Sequence, residues 1–208
     1  MEENAHADRK MDRRTIYTRK TVKDAMLELL TVQPFEKITV AALCRQAEIT
    51  RATFYLHYKD INEVLDELLD EALTMAEAAS NEMSMEERME ELRKITKRGN
   101  IEELRANERL LGPCQRVADD PKYRAVFQDP TLAHYVIRRI YLSERDEMIL
   151  YFMNHCRLDK NQADRLFMML VYGLFYVNQS LKWVKDENWY EMQMMINRFM
   201  FGGLKELT

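Results

Sequence analysis

Apolar residues recur with a helical period along nearly the whole chain. In the first segment Val22, Ala25, Met26, Leu29 and Leu30 fall at i, i+3, i+4, i+7 and i+8, and Pro34 closes the run. In "KITVAALCRQAEIT" Thr39 is an N-cap type, its hydroxyl available to the free amides of the first turn. Val40, Leu43, Cys44 and Ala47 supply a short apolar face behind it. The pattern breaks at Glu48 and restarts after Thr50, a second N-cap type, which predicts a third helix from Arg51 to about Tyr58 with Phe54 and Tyr58 inward. Asp60 and Glu63 have capping-box spacing, and Ile61, Val64, Leu65, Leu68, Leu69, Ala72 and Leu73 form one stripe of a fourth helix, expected over 61–80.

The remainder continues in helical blocks. Ser84 with Glu87 opens a helix that should stop near Gly99, and Pro-containing turns fall at 112–114, 119–122 and 128–131. A long helix is expected over 132–155, and Asp159 with Gln162 should cap another running to Lys185. Asn188 with Glu191 should cap a last one, on which Met192, Met195, Ile196, Phe199 and Met200 share a face. No strand-like alternation or repeat appears, and 208 residues contain only 5 Gly and 4 Pro, so the expected class is all-α. The division predicted is 1–60 and 61–208, with 61–80 as the connecting helix.

Composition narrows the function. With 47% hydrophobic and 32% charged residues the chain can build a packed core. Its longest apolar run, 166–177, is shorter than the ~20 residues a bilayer span needs, and the first residues show no signal-peptide core, so no membrane partner and a cytoplasmic location are expected. Cys44, Cys114 and Cys156 are widely spaced, which suits reduced thiols rather than a disulfide framework. His155 and Asp159 stand four apart but lack further ligands at convincing spacing, so no metal and no cofactor are expected. No phosphate-binding loop, dinucleotide fingerprint or nucleophile motif occurs, which argues against an enzyme. The fifteen methionines fit either ordinary core and interface or an adaptable pocket.

Charge is unevenly distributed. Residues 9–59 hold eleven Lys or Arg against five Asp or Glu, whereas 60–208 hold twenty against twenty-seven. A basic end on an acidic body points to one segment meeting a polyanion. Within it, two short helices joined by a tight turn have the layout of a helix-turn-helix. Small Ala52 and Thr53 suit close approach of the second helix to base edges in a major groove, and Arg51 is long enough to reach them. Thr39 and Thr50, with the amides beside them, can meet phosphates, and Tyr55, His57 and Lys59 add donors. "DRKMDRR" ahead of the first helix offers Arg9, Lys10, Arg13 and Arg14 as an arm, either reaching the DNA backbone and minor groove or remaining solvated.

The stretch "ITVAALCRQAEITRATFYLHYKDINEVLDEL", from Ile38 to Leu68, resembles the DNA-binding signature of TetR-family transcriptional regulators at Thr39, Ala47, Ile49, Thr50, Thr53, Phe54, Tyr55, His57, Tyr58 and Lys59. Glu48 departs from the pattern, standing where the family usually has glycine. The resemblance covers about a quarter of the chain. It implies an N-terminal three-helix DNA-binding domain and a larger helical C-terminal domain for regulation and dimerisation, the latter through the last two long helices. Phe175, Met195 and Phe199 are the residues chosen for that homodimer interface. The function implied is a dimeric, sequence-specific regulator of double-stranded DNA, a repressor released from a near-palindromic operator by an unknown small molecule. The alternative is an adaptor whose C-terminal domain binds a partner protein. No ligand-binding residues follow from the sequence.

Overall fold

The computed structural model describes the backbone of residues 2–78 and 83–208, and the side chains of 13–76, 83–112 and 114–208. Every regular element among them is helical, in two compact units. One comprises Met1–Glu71 with Asp129–Leu132; the other comprises Ala72–Gln128 and Ala133–Thr208.

The N-terminal unit contains α1 (Glu2–Leu30), a 3-10 turn at Phe35–Lys37, α2 (Val40–Gln46), α3 (Arg51–Tyr55) and the first part of α4 (Ile61–Ala78). Val22, Met26, Leu43, Phe54 and Val64 are fully buried in its core. The first helix begins at Glu2, so the segment expected to be an arm is helical; the side chains of Arg9 and Lys10 lie outside the described residues. The third helix is shorter than expected, ending at Tyr55, yet Tyr58 is still buried beside Phe54 with ring centroids 5.8 Å apart. Charged side chains fasten α1 to α4. Arg19 donates to Glu67 at 2.8 and 3.0 Å and lies over the Tyr58 ring, while Lys23, itself buried, reaches Glu67 at 3.0 Å and also Glu71. Burial alone would raise the Glu67 pKa, but bonding from Arg19 and Lys23 holds it below the usual carboxylate range. These contacts explain why the units divide after Glu71 and not after residue 60: the first half of α4 carries Val64, Leu65 and Leu68 into the N-terminal core. The end of α4 expected at residue 80 falls outside the described residues.

The C-terminal unit continues with α5 (Met85–Arg98), α6 (Ile101–Ala106), α7 (Pro113–Val117), α8 (Pro121–Gln128), α9 (Ala133–His155), α10 (Lys160–Ser180) and α11 (Glu187–Lys205). Ser84 and Glu87 form the expected capping box, and Gly99 ends α5 at φ 70°, a left-handed position that favours glycine. Asp159 and Gln162 form a second box. The last helix is capped by Asp186, whose carboxylate accepts from the Trp189 amide at 2.9 Å, so Asn188 lies inside the helix instead of capping it.

Helix α10 stops at Ser180, short of Lys185, because Lys182 and Trp183 adopt left-handed φ values of 54° and 55°. That turn drives the Trp183 ring into the core against Phe127 and Phe175, at centroid distances of 5.0 and 5.2 Å. Burial of so large a ring offsets the strain of two consecutive non-glycine residues there. The same cluster corrects one interface assignment. Phe175 is only 2% exposed and belongs to the core of its own chain, whereas Met195 and Phe199 are 56% and 75% exposed. Cys44 and Cys156 are buried and Cys114 is partly so, all three unpaired as thiols. His155 stacks on Tyr151, and Asp159 is occupied as the cap of α10.

Helices α9 and α10 pack against each other, joined by an ionic link. Arg145 donates to Asp164 at 2.8 and 2.9 Å, and the Tyr141 hydroxyl also bonds Asp164. The bonds from Arg145 and then Tyr141 hold the Asp164 carboxyl at about 2, below its ordinary 3.8. A carboxylate depressed in this way contributes stability that is present above its unfolded pKa and lost as pH falls through the folded value. Arg145→Met is therefore expected to be less stable than the parent at neutral pH, the gap closing as pH drops from about 4 to about 2. Denaturant titrations at a series of pH values check this; a gap independent of pH would show that the contribution is not ionic.

Candidate nucleic-acid interface

The turn between α2 and α3 is built by local bonds. The Thr39 hydroxyl accepts from the Ala42 amide at 3.1 Å and opens α2. Ala47 and Ile49 donate their amides to Leu43 and Cys44 carbonyls, each at 2.9 Å, which closes α2 and reverses the chain. Between them Glu48 sits at φ 53°, the left-handed conformation that glycine adopts without cost. The departure read in the sequence is thus accommodated by a strained glutamate whose side chain points to solvent. Thr50 then accepts from the Thr53 amide at 3.1 Å, and the two hydroxyls bond each other at 2.9 Å.

This geometry sorts the predicted residues by exposure. Thr39, Thr50, Arg51, Ala52, Tyr55 and Lys59 are exposed on the N-terminal unit, Thr53 and His57 are half-buried, and Phe54 and Tyr58 anchor α3 from beneath. Arg13 and Arg14 are also exposed, but on α1, in a part of the unit separated along the chain from α3. The caps fix which backbone amides remain unpaired at the helix start, and unpaired amides with a positive helix end suit phosphate oxygens. No carboxylate occurs between Ile49 and Lys59, so the exposed face of α3 offers donors and small or apolar side chains and no anion.

One residue of this surface was not foreseen. Leu56, at the end of α3, is 81% exposed. Its neighbours gave no signal, since a leucine between Tyr55 and His57 reads as a packing residue. An apolar group here has the chemistry to meet a thymine methyl.

A chain that buries Phe54 and Tyr58 to hold an acid-free, threonine-capped second helix at its surface is a helix-turn-helix protein. Residues 23–68 match the family model described as bacterial regulatory proteins, tetR family. The match covers the helix-turn-helix domain and leaves the rest of the chain unmatched. A 59-residue stretch is 37% identical to the uncharacterized HTH-type transcriptional regulator YxbF of Bacillus subtilis (strain 168); it covers 28% of this chain and 16% of the relative's length. Among solved structures, the TetR family repressor AlkX from Dietzia sp. strain DQ12-45-1b aligns over 91% of this chain and 96% of its own, with 18% identity and a TM-score of 0.42.

If Lys59 pairs with a phosphate, Lys59→Ala should weaken binding to all DNA sequences alike and lower the slope of log affinity against log salt by roughly one unit. Fluorescence anisotropy across a salt series measures both; an unchanged slope would remove Lys59 from the interface.

Proposed function

We propose that the protein is a dimeric, sequence-specific DNA-binding regulator, acting as a repressor that a small molecule releases from its operator. The observation that carries this reading is the exposed face of α3, where Arg51, Ala52 and Tyr55 stand on an acid-free helix capped by Thr50, with Lys59 exposed just beyond its end. Arg51 can address guanine O6 and N7 with two bonds, and Thr53 offers a hydroxyl and a methyl to neighbouring bases. A homodimer would set two such helices about 34–36 Å apart, one turn of DNA, on a near-palindromic site. Met195 and Phe199 on α11, with Met169 and Tyr176 on α10, supply exposed apolar surface for that association. Arg13 and Arg14 extend the basic surface from α1.

The C-terminal unit supports the ligand-released reading over the partner-protein one because it contains an apolar cavity of about 110 Å³. Release would follow from linkage: a ligand weakens DNA binding only to the extent that it prefers the protein conformation with lower DNA affinity.

Selection of DNA from a random pool, with the parent protein and with Arg51→Ala, tests the reading. The parent should recover one near-palindromic consensus. The variant should lose preference at particular positions, at a cost of about 1–3 kcal/mol for the affected base pair. Weaker binding with an unchanged consensus would assign Arg51 to phosphate contact only, and a parent that enriches no sequence would overturn the function.

A further inference from the structure

The cavity of the C-terminal unit has a composition that specifies its occupant. Its walls are mainly aliphatic and aromatic, from Met89 and Leu92 on α5, Met148 on α9, Phe167 and Val171 on α10, and Ile196 on α11. Its volume, about 110 Å³, is close to that of an engineered apolar cavity of about 150 Å³ that accepts benzene. An occupant of this space has an apolar body near the size of one ring.

Most of the polar groups at the wall are already engaged with one another. Gln193 accepts from Gln115 at 2.6 Å and donates to Asn178 at 3.1 Å, and Gln115 in turn accepts from the Gly112 amide at 3.0 Å. These amides serve the protein's internal network. Arg88 and Glu144 approach to 3.8 Å with side chains only 13% and 15% exposed, so their opposite charges cancel at the wall, while Glu144 Oε1 accepts no hydrogen bond among the described residues. Burial, and then the Glu144 carboxylate, push the Cys114 thiol up to about 12, which leaves no thiolate there at neutral pH. Asn197 differs. Its Nδ2 is buried at the cavity wall and has no hydrogen-bond partner among the described residues. A buried donor without an acceptor is unfavourable, and an acceptor carried in by a ligand removes that penalty.

Resting on the reading of this unit as ligand-binding, we propose that the cavity takes a neutral, single-ring-sized apolar molecule with one hydrogen-bond acceptor oxygen, such as an aryl ketone, aldehyde or ester, and that Asn197 is its polar anchor. Wall neutrality disfavours a carboxylate or an amine, either of which would enter without a counter-charge. The aliphatic lining disfavours a molecule with several hydroxyls.

The test compares three probes by isothermal titration calorimetry on the full chain: acetophenone, ethylbenzene, which has the same body and no acceptor, and benzoate, which is charged. Each is measured with the parent, with Asn197→Leu, which removes the donor at similar volume, and with Asn197→Asp, which replaces donor by acceptor. Acetophenone should bind the parent and lose about tenfold in affinity in both variants, the effect of one hydrogen bond. Ethylbenzene should bind parent and Asn197→Leu equally or favour the variant. Using the ratio between proteins for one probe cancels the difference in hydrophobicity between probes. Equal losses for ethylbenzene and acetophenone, or benzoate binding more tightly than acetophenone, would overturn the proposal while leaving a ligand cavity in place. Failure of all three to bind would overturn it together with the ligand-binding reading. Acetophenone bound as expected, without displacing the protein from its selected DNA, would uphold the ligand class and reject release as the mode of regulation.

Discussion

Phe54→Ala is expected to destabilise the N-terminal unit by about 3–5 kcal/mol, the range for removing a buried phenyl ring from a packed core. The ring is fully buried and touches Tyr55 edge-on at 5.4 Å and Tyr58 at 5.8 Å, so its loss takes away the support beneath α3. A unit of this size has a stability of about 0.05–0.15 kcal/mol per residue, which makes the loss comparable to the whole. DNA binding should disappear with it, since the caps of α3 cannot compensate for a missing core. Denaturant titration followed by hydrogen exchange of the α2–α3 amides measures the effect. Leu56→Ala is the companion control: 81% exposed, it should change stability by no more than about 0.5 kcal/mol. A Phe54→Ala variant as stable as the control would mean that the rings of α3 do not hold it in place.

Phe199→Asp should convert the proposed dimer to a monomer without unfolding it. The side chain is 75% exposed and Met195, one turn away, is 56% exposed, so a carboxylate here costs the isolated chain little while placing charge in an apolar contact. Two linked half-site contacts exceed one by about 10²–10⁴ in affinity, and tight operator binding should fall by that order. Sedimentation and circular dichroism together decide the matter: the variant should sediment as a monomer with unchanged helicity. A parent protein that is itself monomeric at micromolar concentration would sink the dimer outright.

The two units differ in how much of them can be read in advance. Thr39, Glu48 and Thr50 act through bonds to residues two to four positions away, so their roles in opening and closing α2 and α3 follow from the order of residues alone. The inward placement of Phe54 and Tyr58 is likewise a matter of spacing. Ser84 with Glu87 and Asp159 with Gln162 are equally local, and both boxes form.

Misreadings arise where local signals compete or fall silent. Asp186 and Asn188 are both good caps, and the turn at Lys182 and Trp183, made by burying an indole, decides that Asp186 is used. The run from Leu166 to Val177 is apolar around most of its circumference, so its period names no inward face. Packing of α10 against Phe127 and Trp183 selects Phe175 for the core, leaving Met169 and Tyr176 outside.

The cavity belongs to the same category. Asn197 comes to face Phe167 and Met89 across a shared space only because α5, α10 and α11 converge, and a single amide in a helix carries no mark of that. What the sequence by itself determined is the all-helical class, the helix-turn-helix and the family signature that residues 38–68 resemble, since capping, turn conformation and periodicity act over a few residues. Only the tertiary structure decided which apolar faces are core and which polar atoms are left unpaired at a cavity, because burial depends on neighbours that are distant along the chain.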